Sequence, residues 1–588
     1  MTSYYSTNNP YILRIVACLA IVGVLNQLRG SIQALESSHN SASEDQLIGA
    51  VSRDHGDGLQ RLKRLVLPVT TDGMEKAATR TSFDETNADI RVVVDRKETT
   101  GETALRAPML SQPKQNHQQN HEQQQQQSTH QQKKKPLNIL ILYPDDWRHD
   151  DIGGVAPVVK TPFLNQLARD GIRFTHNMVT TSICWVSRAT LFTGQYLSRH
   201  KSYRLKTPEF YKTWHNTSWP ALLQQSNYYT AHIGKWQYYD FDKQRQAELF
   251  NYTSIFEGKH QYPSKGGAFI SAAEKMSMEV KTFLQQKRPT DQPFALTAAF
   301  FPPKAIGNSK APGGQWFPLN KTVMKYYGPN VTIPHPYDET DSYKRLPWFF
   351  HRVERGGRSR WEERFQGEEK YQAAMKNYYS LITEVDEACK DIVDELERQG
   401  IANETLIIFT TDNGLFHAEH GLAGKWYPYQ ESIRVPLIIR DPRMPLQKHN
   451  TLDGSLTLNI DLHPTILGAA GITPPSSTQG MDMATLYMPQ TNNDESVPVA
   501  SEATDGDKSW RDEFFYEFPL DQTKNMPMSS AVVRKDLKFI YWPQFKYEQL
   551  FNLTEDPLEL NDVWNQPQYA SVLKQLQMRH EKWKEAVK

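Results

Sequence analysis

Cys184 stands in the stretch Thr-Thr-Ser-Ile-Cys-Trp-Val-Ser-Arg-Ala-Thr-Leu-Phe-Thr-Gly (180–194), with Arg188 four residues on and a helix-compatible run following. A side chain at a helix N-terminus faces unpaired backbone N–H groups and the positive end of the macrodipole, a setting that holds an anion. Taken alone, Cys184 reads as a buried, inert thiol. Its company changes that reading. Asp145, Asp146, Asp412 and Asn413 offer three carboxylates and an amide oxygen, a set that suits a hard cation such as Ca²⁺ or Mg²⁺ rather than Zn²⁺. Such a cation neutralises the oxygens of a bound anion and polarises a nucleophile. Arg188, Lys235 and Lys425 add positive charge, which fits a sulfate or phosphate ester. Both lysines sit among apolar and aromatic neighbours, in His-Ile-Gly-Lys-Trp and Ala-Gly-Lys-Trp-Tyr, and this weakens the alternative of solvated surface charges.

Apolar runs precede most of these residues. Leu137 to Tyr143 leads into Pro144-Asp145-Asp146, Tyr228 to Ile233 into Gly234-Lys235, and Thr405 to Thr411 into Asp412-Asn413. Phe294 to Phe301 and Val435 to Ile439 are two further runs. Alternating with helical segments such as 161–170 and 369–399, they predict an α/β fold, a large and mostly parallel sheet sandwiched by helices. Open α/β sheets bind ligands beyond the carboxyl ends of their strands. Asp and Asn are also turn formers, which explains any one strand end as punctuation. Three charged ends plus the Cys184 loop point to one site. Residues 136–450 therefore read as a catalytic domain. Residues 451–588, with a helix over 461–470, short strands over 530–533 and 538–542 and a terminal helix over 573–586, read as a smaller α+β subdomain.

The 588 residues balance 67 basic against 67 acidic side chains, so nothing points to nucleic acid as a partner. Aromatics make up 11%, compatible with a carbohydrate-facing surface and equally with a large core. Three cysteines, Cys18, Cys184 and Cys389, give no disulfide framework. Arg14 followed by the apolar run Ile15 to Leu25 predicts a signal peptide or an uncleaved anchor over 1–30, and either sends the chain into the secretory pathway. The product is then secreted or held in the Golgi or endomembrane lumen. Sequons at Asn216, Asn251, Asn320, Asn330, Asn403 and Asn552 agree with a glycoprotein. Residues 31–135, poor in apolar residues and closing with Gln123 to Gln127 and Lys133 to Lys135, read as a disordered stem. Its His117, His121 and His130 read as solvated rather than metal-binding.

Cys-x-x-Ser-Arg followed by Leu-Phe-Thr-Gly, with Asp-Asp before it and Gly-Lys-Trp, Asp-Asn-Gly, His-Gly and Gly-Lys after it, resembles the type I sulfatases of the alkaline-phosphatase-like superfamily. The resemblance runs from about Leu137 to the C-terminus and includes Glu431 to Pro436 and Ile460 to Thr465. It implies that Cys184 is converted to formylglycine by a formylglycine-generating enzyme. The hydrate of that residue would attack sulfur and release the alcohol, and the aldehyde would re-form as sulfate leaves. It further implies one Ca²⁺ per chain, held by Asp145, Asp146, Asp412, Asn413 and the modified Cys184. Arg188 would hold the nucleophile's hydroxyl, and Lys235 and Lys425 the sulfate oxygens.

Three positions depart from the family pattern. Val186 stands where Pro or Ala is usual, Gln237 where many members have a histidine after Gly-Lys-Trp, and Lys304 where a histidine usually follows the paired prolines. Lys304 keeps a positive charge there, and His420 or, less well, His417 is left as a candidate for protonating the leaving group. The expected activity is calcium-dependent hydrolysis of a sulfate ester, with a sulfated carbohydrate as substrate. The alternatives are a catalytically silent relative that binds sulfated glycans, motivated by Val186, Gln237 and Lys304, and a phosphoester or phosphonate hydrolase. The last would call for Thr or Ser at position 184 or added Asp and His for a second metal.

Overall fold

A computed structural model describes residues 136–588 except 207, 239–241, 337–338, 354, 490–509 and 520–525. The expected N-terminal signal or anchor and the expected stem, with Cys18, His117, His121 and His130, lie outside the described residues. Eight strands form the main sheet: β1 (Asn138–Leu142), β2 (Ile172–Met178), β3 (Tyr229–Gly234), β4 (Tyr252–Ile255), β5 (Phe294–Ala299), β6 (Thr405–Thr410), β7 (Leu437–Arg440) and β8 (Thr451–Leu458). Their order is β8-β2-β7-β6-β1-β5-β3-β4. All the pairings are parallel except those of β7, which runs antiparallel to β6 and to β2.

The central strands are continuous apolar runs because both faces are covered. Along β1, Ile139 and Ile141 enter one core while Leu140 and Leu142 enter the other, and in β6 Leu406 and Ile408 separate from Ile407 and Phe409 in the same way. On the second face lie α1 (Pro162–Arg169), α3 (Ala272–Thr282) and the long α5 (Glu368–Arg398), which contributes Tyr378, Leu381, Ile382, Val385 and Cys389. On the first face lie α2 (Cys184–Thr193) and α6 (Leu462–Ala469), together with the second sheet. A short helix, α4 (Gly356–Arg364), precedes α5.

The second sheet is a four-stranded antiparallel meander of β9 (Glu513–Phe518), β10 (Ser529–Arg534), β11 (Leu537–Trp542) and β12 (Tyr547–Asn552). The terminal helix α7 (Ala570–Ala586) packs on it, Leu576 entering the same core. The expected boundary at 450 falls just before β8, an edge strand of the main sheet. Among the described residues no helix is long and apolar enough to cross a membrane. Asn216, Asn251, Asn320, Asn330 and Asn403 are exposed, whereas Asn552 is half-buried and donates to Tyr569 Oη.

Candidate active site

Four adjacent parallel strands, β6, β1, β5 and β3, end along one edge of the main sheet. Asp412 and Asn413 follow β6, Asp145 and Asp146 follow β1, Lys304 lies beyond β5, and Lys235 directly follows β3. A parallel sheet gives all these turns the same side, so residues far apart in sequence meet there. Gly234 closes β3 at φ 97°, where a Cβ would sit 2.2 Å from Ala299 O. Only glycine lets the chain turn there into Lys235. Cys184 opens α2, entered from an extended Ile183 and closed by left-handed Gly194, as the helix-terminus reading expects.

Ligand atoms of Asp145, Asp146, Cys184 and Asp412 lie within 4.8 Å of one another, and all four residues are buried. Cys184 Sγ is 3.3 Å from Asp145 Oδ1, 3.3 Å from Lys304 Nζ and 2.6 Å from Lys425 Nζ. Lys304 Nζ also lies 3.3 Å from Asp145 Oδ1 and from Asp146 Oδ2. Lys235 pairs with Asp145 and Lys425 with Asp146. Arg188 reaches Asp412 Oδ2 at 3.0 Å and donates to Lys235 O at 3.2 Å, a carbonyl that also lies 3.0 Å from His232 Nε2. Arg188 Nε is buried and has no hydrogen-bond partner.

Burial works against the charge of Asp146 and Asp412, yet Lys304 and Lys425 hold Asp146, and Arg188 and Lys235 hold Asp412, below the ordinary carboxylate range. Burial, followed by the Asp412 carboxylate, pushes the Cys184 thiol up. Lys235 is drawn well down by burial and by Lys304. Lys304 goes the other way: burial opposes its charge, but Asp146 and Cys184 raise it above an ordinary lysine.

Three carboxylates converging at such range form a donor set that fits a hard divalent cation. Asn413 Nδ2 donates to Asp146 Oδ1 at 2.6 Å while its Oδ1 accepts from Lys425. A half-turn of the amide exchanges the two atoms and would present the oxygen to the carboxylates.

The structure places His420, the candidate proton donor, beside Tyr429 and Glu431. Its ring stacks on Tyr429 with centroids 4.7 Å apart, and its Nε2 lies 3.8 Å from Glu431 Oε2. Burial holds it down to about 3. His417, buried against Tyr378, with Nε2 3.6 Å from Asp151 Oδ2, is likewise held well below its ordinary value by burial. Residues not anticipated from sequence are Tyr378 and His232. Tyr378 Oη lies 3.0 Å from Asp146 O and from Asp151 Oδ2 and steadies Asp146, whose φ of 61° is left-handed. A tyrosine in the middle of a long amphipathic helix carries no local mark of such a role.

The general sulfatase family model matches residues 137–472, and a model of the C-terminal part of N-sulphoglucosamine sulphohydrolase matches 418–586. An N-acetylglucosamine-6-O-sulfatase of Bacteroides thetaiotaomicron is 23% identical over 512 residues, covering 75% of this chain and 85% of its own. The N-sulphoglucosamine sulphohydrolase of Homo sapiens is 24% identical over 494 residues, covering 76% and 90%. A solved structure bound to its substrate, D-glucosamine-2-N,6-O-disulfate, superposes with a TM-score of 0.63 at 22% identity, covering 77% of this chain and 98% of its own. The phosphonate monoester hydrolase of Agrobacterium radiobacter superposes with a TM-score of 0.56 at 19% identity, covering 77% and 96%.

Proposed function

The chain belongs to the sulfatase family, and from that premise we propose that it hydrolyses sulfate esters of a carbohydrate, with a sulfated glucosamine of a glycosaminoglycan as the favoured substrate class. The observation that carries this reading is Cys184 Sγ held among Asp145, Lys304 and Lys425 at the common end of four strands. The relatives named for glucosamine sulfates support the substrate class. The secretory pathway is the proposed location, where a formylglycine-generating enzyme would act on Cys184. Val186 is fully buried in the apolar core.

Asp145, Asp146, Asp412 and Asn413 would hold one Ca²⁺, which supplies Lewis-acid polarisation of sulfate oxygens. Formylglycine at 184 would supply, as its hydrate, the hydroxyl nucleophile for sulfur. The chain's own residues provide the rest. Arg188, with an unpartnered Nε, orients the hydroxyl at position 184. Lys425 and Lys304 flank that position and take the peripheral sulfate oxygens. Lys304 is the more open of the two, its side chain a quarter exposed against 6% for Lys425, so it stands on the side from which the ester enters. Its charge there stabilises the developing alkoxide of the leaving group, in place of the family histidine.

The test has two parts, on protein from a eukaryotic secretory host. The mass of the tryptic peptide Phe174–Arg188 should show loss consistent with conversion of Cys184. Sulfate release from a sulfated sugar should vanish in Cys184→Ala. An unmodified thiol with no turnover by wild type overturns the reading in favour of a silent glycan-binding relative. Faster turnover of phosphonate or phosphate esters than of sulfate esters would favour the third reading.

A further inference from the structure

Helix α4 carries Arg360 and Arg364, four residues apart and so on one helix face. The Arg360 guanidinium lies 4.6 Å from the centroid of the Trp426 ring, and its Cδ is 3.4 Å from where a Cβ on Gly424 would sit. Gly424 and Trp426 are the two neighbours of Lys425. Arg364 lies 5.3 Å over the Trp316 ring, whose Nε1 donates to Pro303 O at 2.9 Å, the residue before Lys304. Each guanidinium is thus seated on an aromatic ring tied to one of the two lysines that touch Cys184.

Neither arginine has a carboxylate partner among the described residues. Arg360 Nη1 donates to Gly356 O at 2.9 Å and Arg364 Nε to Gln315 Oε1 at 2.8 Å. Both are half-buried. Burial, and after it the like charge of Arg360, draws Arg364 down to about 10, with Asp146 pulling the other way. Arg364 remains charged at neutral pH and lies within electrostatic reach of the Asp146 carboxylate. Arg358, on the same helix, is used differently: it packs 3.8 Å over Trp361 and donates to Gly421 O. Two close guanidiniums repel each other, with the Asp146 and Glu363 carboxylates acting on Arg364 only at a distance, and a bound anion relieves that repulsion. A planar guanidinium backed by an aromatic ring is also pre-organised to grip a sulfate or carboxylate with two N–H groups.

We propose that Arg360 and Arg364 form a second anion subsite beside the Cys184 pocket, taking a further sulfate or carboxylate of the same substrate. The enzyme then selects polyanionic sugars over singly sulfated ones. This rests on the sulfate-ester reading above, since it assigns a second group on the substrate of that site.

The experiment compares kcat/KM for D-glucosamine-2-N,6-O-disulfate with kcat/KM for a singly charged aryl sulfate, in wild type, Arg360→Gln, Arg364→Gln and the double variant. The expected result is a ratio that falls about tenfold in each single variant, through KM more than kcat, with Arg360→Lys recovering part of it. Thermal melting checks that each variant is folded. A ratio that neither variant moves overturns the subsite. If wild type turns over neither ester, the sulfate-ester reading has failed, and calorimetric titration with the disulfated sugar tests the subsite alone. Binding lost in the double variant then upholds it, and equal binding overturns it.

Discussion

At the scale of single residues, Asp412 has the most to lose. Its Oδ2 neutralises Arg188, which is 2% exposed, and its Oδ1 accepts the backbone N–H of left-handed Asp146 at 3.2 Å. Asp412→Ala removes a carboxylate of the proposed metal site and the nearer of the two carboxylates on a buried guanidinium, which keeps only Asp145 Oδ2 at 3.5 Å, and breaking a buried pair costs about 3–5 kcal/mol. The expected outcome is loss of bound calcium and of activity, with a lower denaturation midpoint. Asp412→Asn should recover part of the stability without the activity. Elemental analysis and urea unfolding read the two effects, and a variant that keeps its calcium counts against the proposed donor set. The meeting of Cys184, Arg188, Lys235, Lys425 and the acidic pairs in one cluster was legible in the sequence because most of them punctuate an apolar run. His420 was not. Nearness to Asp-Asn-Gly along the chain says nothing about ring direction, and stacking on Tyr429 decided that. Lys304 stood out from sequence only as a departure, whereas in the structure it touches Cys184 and two of the carboxylates.

At the scale of elements, α1 is capped from another helix. Thr161 makes no side-chain cap, and Asp386 of α5 instead accepts from Phe163 N at 3.0 Å and Leu164 N at 2.8 Å. Burial raises Asp386 from 3.8 to about 7, the two N–H groups opposing it. A carboxyl raised on folding contributes stability that is complete below its unfolded pKa. That contribution is lost, at about 1.4 kcal/mol per pH unit, as pH rises toward the folded value. Unfolding at about pH 5 and about pH 7.5 should therefore show wild type losing stability with rising pH that Asp386→Asn does not lose. Equal pH dependence in the two would exclude the effect. Strands β1, β3, β5 and β6 were readable as buried runs. Strands β2 and β8 were not, since Ile-Arg-Phe-Thr-His-Asn-Met and Thr-Leu-Asp-Gly-Ser-Leu-Thr-Leu mix charge and glycine into strands at or next to an edge. The antiparallel course of β7 was illegible for a different reason. A strand covered on both faces has the same composition in either direction.

At the scale of the whole molecule, the second sheet braces the loop that carries Lys425. Gly424 and Trp426, on either side of Lys425, have φ of 94° and 89°, a left-handed course that a tryptophan adopts only when its surroundings hold it. The holding groups come from the meander. Tyr516 of β9 donates to Trp426 O at 2.7 Å, and Lys538 of β11, fully buried, donates to Pro428 O at 2.8 Å while pairing with Glu559 at 2.6 Å. Glu559 in turn accepts from Gln430 N at 2.7 Å. The C-terminal subdomain therefore holds the backbone beside Lys425. Tyr516→Phe keeps the ring and deletes one hydroxyl, so its cost in folding stability should be about 1 kcal/mol. If Lys425 binds sulfate as proposed, the effect on kcat/KM should be larger, about tenfold or more, because a small displacement of its ammonium weakens every contact made only in the transition state. Calcium content and conversion of Cys184 should stay at wild-type levels, which separates misplacement of Lys425 from general damage. A kcat/KM that falls no further than the stability loss accounts for would mean that the meander supports the fold alone.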